Sequence, residues 1–114
     1  MSTLDQQERP GSARMQRVLE EIAQERARQE HLLSIGKFTH TCASIDGMSE
    51  HARMTVLTEE YLEADELARA MLRLARGVND RDELTELRKE LVQIAAVAAA
   101  WVESIDTRIE LSEG

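Results

Sequence analysis

Two stretches of the chain, each about 28 residues long, repeat apolar side chains at the spacing of an α-helix. The first covers residues 49–76, and the second follows a short turn and continues to about Ile109. Helices of this length take up most of a 114-residue chain, and the sequence shows neither strand-like alternation nor an internal repeat. The sequence therefore predicts an all-α fold, in which a helical hairpin of two long helices is accompanied by a shorter N-terminal helix.

The remaining segments define the predicted domain. Residues 1–12 predict a flexible leader that closes with proline, glycine and serine, and residues 13–111 predict a single all-α domain. The first helix is expected from about Ala13 to Leu33. Residues 34–48 lack helical periodicity, and an irregular loop of this length in a small domain is often functional.

Local signals mark the ends of the two long helices. Ser49 followed by Glu50 suits the start of the first long helix, and Gly77 suits its end. Asp80, with Glu83 three residues later, predicts a capped start for the second long helix.

Composition narrows the class of protein. The chain is 42% hydrophobic but only 3% aromatic, which is typical of a helical protein. Its net charge of −8 argues against nucleic acid as a partner, because proteins that bind phosphate backbones present basic surfaces. The polar N-terminus lacks the apolar segment of a signal peptide, and no apolar run is long enough to span a membrane. Cys42 is the only cysteine, which favours a reducing compartment. We therefore expect a cytoplasmic protein that binds neither nucleic acid nor membranes.

The length of the helices predicts self-association. A helix of about 28 residues is about 42 Å long, whereas a compact monomer of 114 residues has a radius of gyration of about 13 Å. One shorter helix is too small to cover both apolar rods. We therefore expect a homodimer or homotetramer, an oligomeric helical bundle held together by the two long helices.

Acidic residues interrupt the apolar face of the first long helix. At about 100° per residue, Glu60 and Glu63 fall within the arc of apolar side chains, whereas Glu59 and Glu66 fall opposite. The arc consists of Val56, Leu57, Tyr61, Ala64, Leu67, Ala68, Ala70, Met71, Leu74 and Ala75. Because burying an ionised carboxylate without a partner is costly, Glu60 and Glu63 are expected to share a cation.

The second long helix repeats this anomaly. Its predicted apolar stripe consists of Leu84, Leu87, Leu91, Ile94, Ala98, Trp101 and Ile105. Glu90 lies about 40° from the centre of the stripe, and Gln93 flanks it. On facing helices, Glu60, Glu63 and Glu90 would form a cluster of oxygen ligands that suits Mg²⁺ or Mn²⁺.

The acidic residues also form a motif: EEYLE at Glu59–Glu63 and, after a gap of 26 residues (64–89), ELVQ at Glu90–Gln93. This pattern resembles the MazG-like, all-α nucleotide pyrophosphohydrolase superfamily, whose signature is Glu-Glu-x-x-Glu, a spacer, and Glu-x-x-Asp on the facing helix. The resemblance covers about residues 15–108. The stretches LTEEYLEA and RKELVQIAAVAAAWVES are similar to a small branch of that superfamily associated with phage and bacterial genomes.

The resemblance implies a metal-dependent reaction that cleaves a nucleoside triphosphate into the monophosphate and pyrophosphate. Glu60, Glu63 and Glu90 match the catalytic metal ligands of the family, and the cofactor would be Mg²⁺ or Mn²⁺. Gln93 stands where the family has Asp. Its carbonyl oxygen is expected to be a fourth, neutral ligand that weakens the site.

Polar side chains near the end of the first helix are candidates for substrate binding. Arg26 and Gln29 occupy its otherwise apolar face, and Lys37 lies in the following loop; we expect these three to contact the phosphates. Phe38 or Trp101 would touch the base, although the central place of Trp101 in its stripe favours a core residue.

Three alternatives compete with this reading. The first is a catalytically inactive MazG-like relative that serves as a helical assembly or adaptor protein, which Gln93 and the Ala-rich last helix favour. In the second, the clustered glutamates are structural ion-pair partners of Arg17, Arg26 or Arg108. The third is a zinc site formed by the cysteine and histidines of one short window, His31, His40, Cys42 and His51.

Overall fold

The computed structural model describes residues 10–73 and 81–113, which form three α-helices: α1 (Pro10–Ser34), α2 (Glu50–Arg73) and α3 (Arg81–Glu113). No strand occurs within these two ranges, so the predicted all-α class is confirmed. The predicted leader up to residue 9, the helix stop at Gly77 and the cap at Asp80 lie outside the described residues.

Helix α1 begins earlier than predicted, because Pro10 opens it. Proline suits the first helical position, where its fixed φ is helical and its missing N–H would have no partner in any case. The chain leaves α1 through Gly36, whose φ is 80°. The N–H of Lys37 donates to the carbonyl of Leu32 at 2.9 Å, and the N–H of Gly36 donates to that of Leu33 at 3.1 Å. This is the Schellman termination, which needs a residue that tolerates positive φ.

The start of α2 agrees with its predicted cap. The Oγ atom of Ser49 accepts a hydrogen bond from the N–H of Ala52 at 3.0 Å, as an N-cap serine should. Helix α3 continues to Glu113, past the predicted end at Ile109. The ends of periodic segments are the least certain part of a helix prediction, because a cap or a continuing turn can shift them by a few residues.

Helix α3 lies at the centre of the fold, and both α1 and α2 pack against it. The buried core joins Cys42, from the loop between α1 and α2, to Val97 and Ala100 of α3. Partly buried apolar side chains pack around this core: Ala43, Met48, Val56, Leu57 and Trp101. Trp101 therefore contributes to the core, as its place in the stripe predicted.

The face of α3 that one chain buries differs from the predicted stripe. Its buried side chains are Ala96, Val97, Ala100 and Ser104. This face lies about 130° around the helix from the centre of the predicted stripe, on which Leu84, Leu91 and Ile105 are exposed. The reason is size, because small side chains allow α1 and α2 to approach α3 closely. The larger side chains of Leu84, Leu91 and Ile105 are left exposed.

Exposed apolar side chains form a row on each long helix, and we call the two rows together the apolar seam. On α3 the row lies within about 60° of arc and consists of Leu84, Leu91, Val102, Ile105 and Ile109. On α2 it consists of Met54, Tyr61 and Leu72. The inward position predicted for Tyr61 is therefore wrong within one chain, since the side chain is 57% exposed.

The molecule is extended rather than spherical. Its radius of gyration is 17.4 Å and its principal extents are 51 × 46 × 25 Å, compared with a radius of about 13 Å for a compact chain of this length. Within the two described ranges, no helix combines the length and the apolar character that crossing a bilayer requires.

Candidate metal centre

Three glutamates from two helices meet at one point of the structure. Glu60 and Glu63 project from the same side of α2, three residues apart, and Glu90 faces them from α3. One carboxylate oxygen from each lies within 4.8 Å of the others. Glu60 and Glu90 are half-buried, whereas Glu63 is exposed. The inward position expected for Glu63 is thus wrong within one chain, although its carboxylate still reaches the cluster.

The closeness of these carboxylates changes their acidity. Burial raises the pKa of Glu60 above its ordinary value of 4.5, and repulsion from Glu63 and Glu90 raises it further. Burial is also the largest cause of the raised pKa of Glu90, followed by the hydrogen bond and the repulsion that it shares with Glu63. Both shifts have the sign expected for like charges that are crowded together with little water. The cluster therefore favours a proton or another cation.

Gln93 closes the cluster on the α3 side. Its hydrogen-bonding surroundings orient the amide with its nitrogen toward the carboxylates, where it donates to Oε2 of Glu90 and to Oε2 of Glu60, each at 3.1 Å. The sequence predicted that the carbonyl oxygen of Gln93 would face a cation. Without a cation, the hydrogen-bonding surroundings assign the nitrogen end of the amide to this position, and a ligand role requires the opposite orientation of the amide.

The donor set suits a small divalent cation. Two oxygens that both lie about 2.1 Å from Mg²⁺ are at most about 4.2 Å apart, and the three glutamate oxygens already lie within 4.8 Å of one another. A small rotation of the exposed Glu63 side chain would close the difference. Three carboxylates leave further coordination positions for water or phosphate oxygens, which Mg²⁺ usually keeps.

A cavity of about 270 Å³ opens beside the cluster, between α1, α2, α3 and the loop that joins α1 to α2. Glu60 of the cluster lines this cavity, and so does Gln93, which is adjacent to the cluster. One part of the wall is mainly apolar and is lined by Phe38, Cys42, Met48, Val56 and Val97. The α1 side is polar and is lined by Glu25, Arg28 and Gln29. The cavity therefore offers an apolar pocket next to a charged rim.

The predicted phosphate contacts are not all at this cavity. Gln29 lines it, but Arg26 and Lys37 do not. The guanidinium of Arg26 donates to both carboxylate oxygens of Glu103, at 2.7 and 3.0 Å, and to Glu30 at 2.9 Å. Those bonds neutralise Arg26, whose remaining terminal nitrogen donates to Oε1 of Gln29 at 3.0 Å. Lys37 is exposed in the loop.

Arg28 lines the cavity and was not among the predicted phosphate contacts. Its guanidinium donates to both oxygens of Glu25, at 2.9 and 2.7 Å. The pKa of Arg28 is raised, first by that pair and also by the charge of Glu60. Arg28 and Glu60 line the same cavity. A signal was present in the sequence, since Arg28 directly precedes Gln29 and follows Glu25 by about one helical turn.

The alternative that the glutamates are structural ion-pair partners depends on where Arg17, Arg26 and Arg108 lie. Arg26 is bound to Glu103 and Glu30, and Arg108 donates to Glu50 at 3.0 Å. Both therefore pair away from the glutamate cluster. Arg17 acts on Glu21, whose pKa it helps to lower.

The zinc alternative requires histidine and cysteine ligands to converge. Within residues 10–73 and 81–113, the one group of three or more His, Cys, Asp or Glu side chains with ligand atoms within 4.8 Å of one another is Glu60, Glu63 and Glu90. The predicted histidine and cysteine ligands do not form such a group there. His40 and Cys42 both line the cavity. Burial raises the pKa of the Cys42 thiol, which opposes both metal binding and nucleophilic chemistry at neutral pH.

No family model, no curated protein and no solved structure matches this chain. The resemblance to the MazG-like superfamily accordingly stays a prediction from the two short motifs, and the arguments about function rest on the geometry of the cluster and the cavity.

Proposed function

We propose that this protein is a metal-dependent nucleoside triphosphate pyrophosphohydrolase, which converts an NTP or dNTP and water into the monophosphate and pyrophosphate. The observation that carries the proposal is the convergence of Glu60, Glu63 and Glu90, of which Glu60 also lines the cavity. Clustered carboxylates are the ligands through which Mg²⁺ or Mn²⁺ is held beside a substrate phosphate. The motif resemblance supports the same activity.

In this proposal the carboxylates hold the cation, which supplies Lewis acidity toward the phosphate oxygens and toward water. The guanidinium of Arg28 and the amide of Gln29 face the triphosphate from α1. The cavity is smaller than the roughly 300–1,000 Å³ of sites that enclose a whole drug-sized ligand. It would therefore take only the nucleoside end, with the base against Phe38 and the apolar wall, while the triphosphate extends toward the glutamates.

We also propose that the active form is a homo-oligomer in the cytoplasm. The apolar seam leaves large side chains of both long helices uncovered, among them Tyr61, Leu91 and Ile105. A second copy offers the same seam in return, and two such surfaces bury each other in a symmetric interface. A homodimer requires one such contact, and a homotetramer requires a second.

A second candidate function is a MazG-like assembly or adaptor protein without catalysis. The contact that favours it is the double hydrogen bond from the amide of Gln93 to Glu60 and Glu90. An amide that satisfies two carboxylates relieves part of their repulsion without a metal ion. In such a protein the cluster would be a structural polar contact between α2 and α3.

Pyrophosphate release separates these two functions. A panel of ribo- and deoxyribonucleoside triphosphates is incubated with Mg²⁺ or Mn²⁺ and with wild type, Glu60→Gln or the matched control Glu59→Gln. Glu59 is exposed on α2 next to Glu60 but is not part of the cluster. We expect release by wild type and by the control, and a loss of about 100-fold or more in Glu60→Gln, since that variant removes a ligand of the cation.

Two results would contradict the pyrophosphohydrolase. Wild type that releases no pyrophosphate from any nucleotide with either metal favours the adaptor. Activity that Glu60→Gln and the control share equally with wild type would mean that the chemistry takes place elsewhere.

A further inference from the structure

Arg53 is fully buried in the second turn of α2, with 0% of its surface exposed. All three nitrogens of its guanidinium donate hydrogen bonds. The Nε atom donates to the carbonyl of Cys42 at 3.1 Å, and one terminal nitrogen donates to the carbonyl of Met48 and to Oε1 of Glu50, both at 2.8 Å. The other terminal nitrogen donates to the carbonyl of Ser44.

Three of these four acceptors are backbone carbonyls of one segment, the loop of residues 35–49. The same loop provides a large part of the cavity wall, through Phe38, His40, Thr41, Cys42 and Met48. Two further hydrogen bonds fix this loop to the helices. The Oγ atom of Ser104 donates to the carbonyl of Ser44 at 3.1 Å, and Thr41 donates to Glu30 at 3.0 Å. The loop is thus fixed from α1, α2 and α3.

A loop without regular secondary structure has carbonyls that need donors when they are buried. The planar guanidinium supplies them in several directions at once, and the loop carbonyls in turn solvate a charge that would be costly to bury alone. A lysine cannot reproduce this contact, since it has no donor at the position of Nε and no rigid fork. The conformation of the loop and the burial of Arg53 therefore depend on each other.

We infer that Arg53 is a positioning residue, which fixes the loop of residues 35–49 as the closed wall of the cavity. Without its hydrogen bonds the loop opens away from α3, and the apolar pocket loses one side. The carboxylate cluster, which lies on α2 and α3, does not depend on this contact. The inference rests on the proposed function only where substrate hydrolysis is the readout; the opening of the loop is measurable without it.

Cys42 is the natural reporter of this opening. It is the single cysteine of the chain, it is 5% exposed, and its own carbonyl accepts from Arg53. The rate at which its thiol reacts with 5,5′-dithiobis(2-nitrobenzoate) measures how often the loop exposes it. We compare wild type with Arg53→Lys. The matched control is Arg69→Lys, which changes an exposed arginine of the same helix that is paired with Asp65 at 2.8 Å.

We expect the thiol of Arg53→Lys to react about tenfold faster or more, because bonds from a charged donor to buried acceptors are lost. The Arg69→Lys control should react at the wild-type rate, and helical content by circular dichroism should be unchanged in both. Low concentrations of urea should leave the fast reaction of Arg53→Lys unaffected, since opening of one loop exposes little surface compared with global unfolding.

If Arg53→Lys does not fold, Ser104→Ala decides the matter. That variant removes the hydrogen bond to the Ser44 carbonyl but keeps the buried charge. It should raise the thiol rate about threefold or more, as the loss of one neutral hydrogen bond predicts. A wild-type thiol rate in the variant that folds, or a faster rate that rises with urea as steeply as global unfolding does, would overturn the inference.

The kinetics of nucleotide hydrolysis give a second measurement. With Mg²⁺ and the best nucleotide of the panel, Arg53→Lys should raise KM about tenfold while kcat stays within a factor of about three, because the cavity wall is lost and the metal ligands remain. A fall in kcat alone at unchanged KM would contradict a role in the cavity wall. Absence of hydrolysis in wild type would contradict the proposed function instead, and the thiol rates would still test Arg53.

Discussion

Hydrogen bonding assigns the amide nitrogen of Gln93 on α3 to a position 3.1 Å from Oε2 of Glu60 on α2 and equally far from Oε2 of Glu90 on its own helix. One neutral side chain thus bridges two half-buried carboxylates at the contact between the long helices. An aspartate at this position, which the motif of the MazG-like superfamily would place there, has no N–H to donate. Aspartate in place of Gln93 would therefore remove a hydrogen-bond donor and add a fourth negative charge.

Gln93→Asp should lower stability without metal and raise the response to metal. Two donated hydrogen bonds are lost and a like charge is added, so we expect a loss of about 1–3 kcal/mol in the free energy of unfolding in EDTA. With Mg²⁺ or Mn²⁺ the added carboxylate becomes a ligand, and the metal concentration for half-maximal stabilisation should fall. Thermal unfolding across a metal titration measures both effects. Gln93→Asp with wild-type stability in EDTA would contradict the bridging role of the amide.

Removing two of the clustered carboxylates should abolish stabilisation by metal. An ion that binds only the folded protein stabilises it by about 2.7 kcal/mol when its concentration is 100 times its Kd. In Glu60→Gln/Glu63→Gln we expect no shift of the unfolding temperature with Mg²⁺ or Mn²⁺, and unchanged or slightly higher stability in EDTA, because repulsion is relieved.

The control for that double variant is Glu59→Gln/Glu66→Gln. It removes the same charge from the same helix at two exposed positions outside the cluster, so the metal-dependent shift should be retained. If the cluster variant unfolds in EDTA while the control does not, Glu60 and Glu63 serve the fold rather than a cation.

The ion pair between Arg26 and Glu103 should make stability depend on pH. The hydrogen bond from Arg26 holds the pKa of Glu103 below its ordinary value of 4.5. A carboxyl with a lowered folded-state pKa stabilises the folded protein fully at pH values above its unfolded pKa, and this contribution is lost as the pH falls through the lowered folded-state value.

Glu103→Gln should therefore cost stability at pH 7 but not in acid below the lowered pKa. The carboxylate is largely exposed, so the loss at pH 7 should be at most about 1 kcal/mol. Urea unfolding between pH 7 and acid gives the difference, and a double-mutant cycle with Arg26→Gln isolates the pair. A difference that grows toward low pH would have the wrong sign for this ion pair.

A charge in the apolar seam should dissociate the oligomer without unfolding the helices. Leu91 is 52% exposed in the α3 row of the seam, so Leu91→Glu costs little in an isolated chain but places a charge in the proposed contact between copies. Sedimentation equilibrium at micromolar concentration should show a dimer or tetramer for wild type and a smaller species for Leu91→Glu. Leu111→Glu is the control, since Leu111 is 63% exposed but faces away from the row. A monomeric wild type would remove the oligomer from the proposal.

Sequence periodicity was sufficient to find the helices and the three glutamates, because both depend on spacing along one chain. Glu60 and Glu63 share a side of any helix in which they lie three residues apart. The antiparallel return of the chain then placed Glu90 within reach. Periodicity could not decide which face of α3 is buried, since an Ala-rich helix offers an apolar surface in several directions. The face with Ala96 and Ala100 is the buried one, because large side chains would prevent the close approach of the neighbouring helices.

The sequence by itself determined the three helices, the N-cap at Ser49 and the motif carboxylates, since these follow from local spacing and from the backbone preferences of single residues. Only the tertiary structure decided that Arg28 faces the cavity and that Arg26 does not. The hydrogen-bond partners of Gln93 and Arg53 were likewise decided there, because each side chain meets acceptors from a different segment of the chain. The direction and partners of a polar side chain are set by which helices meet, and no local pattern contains that information.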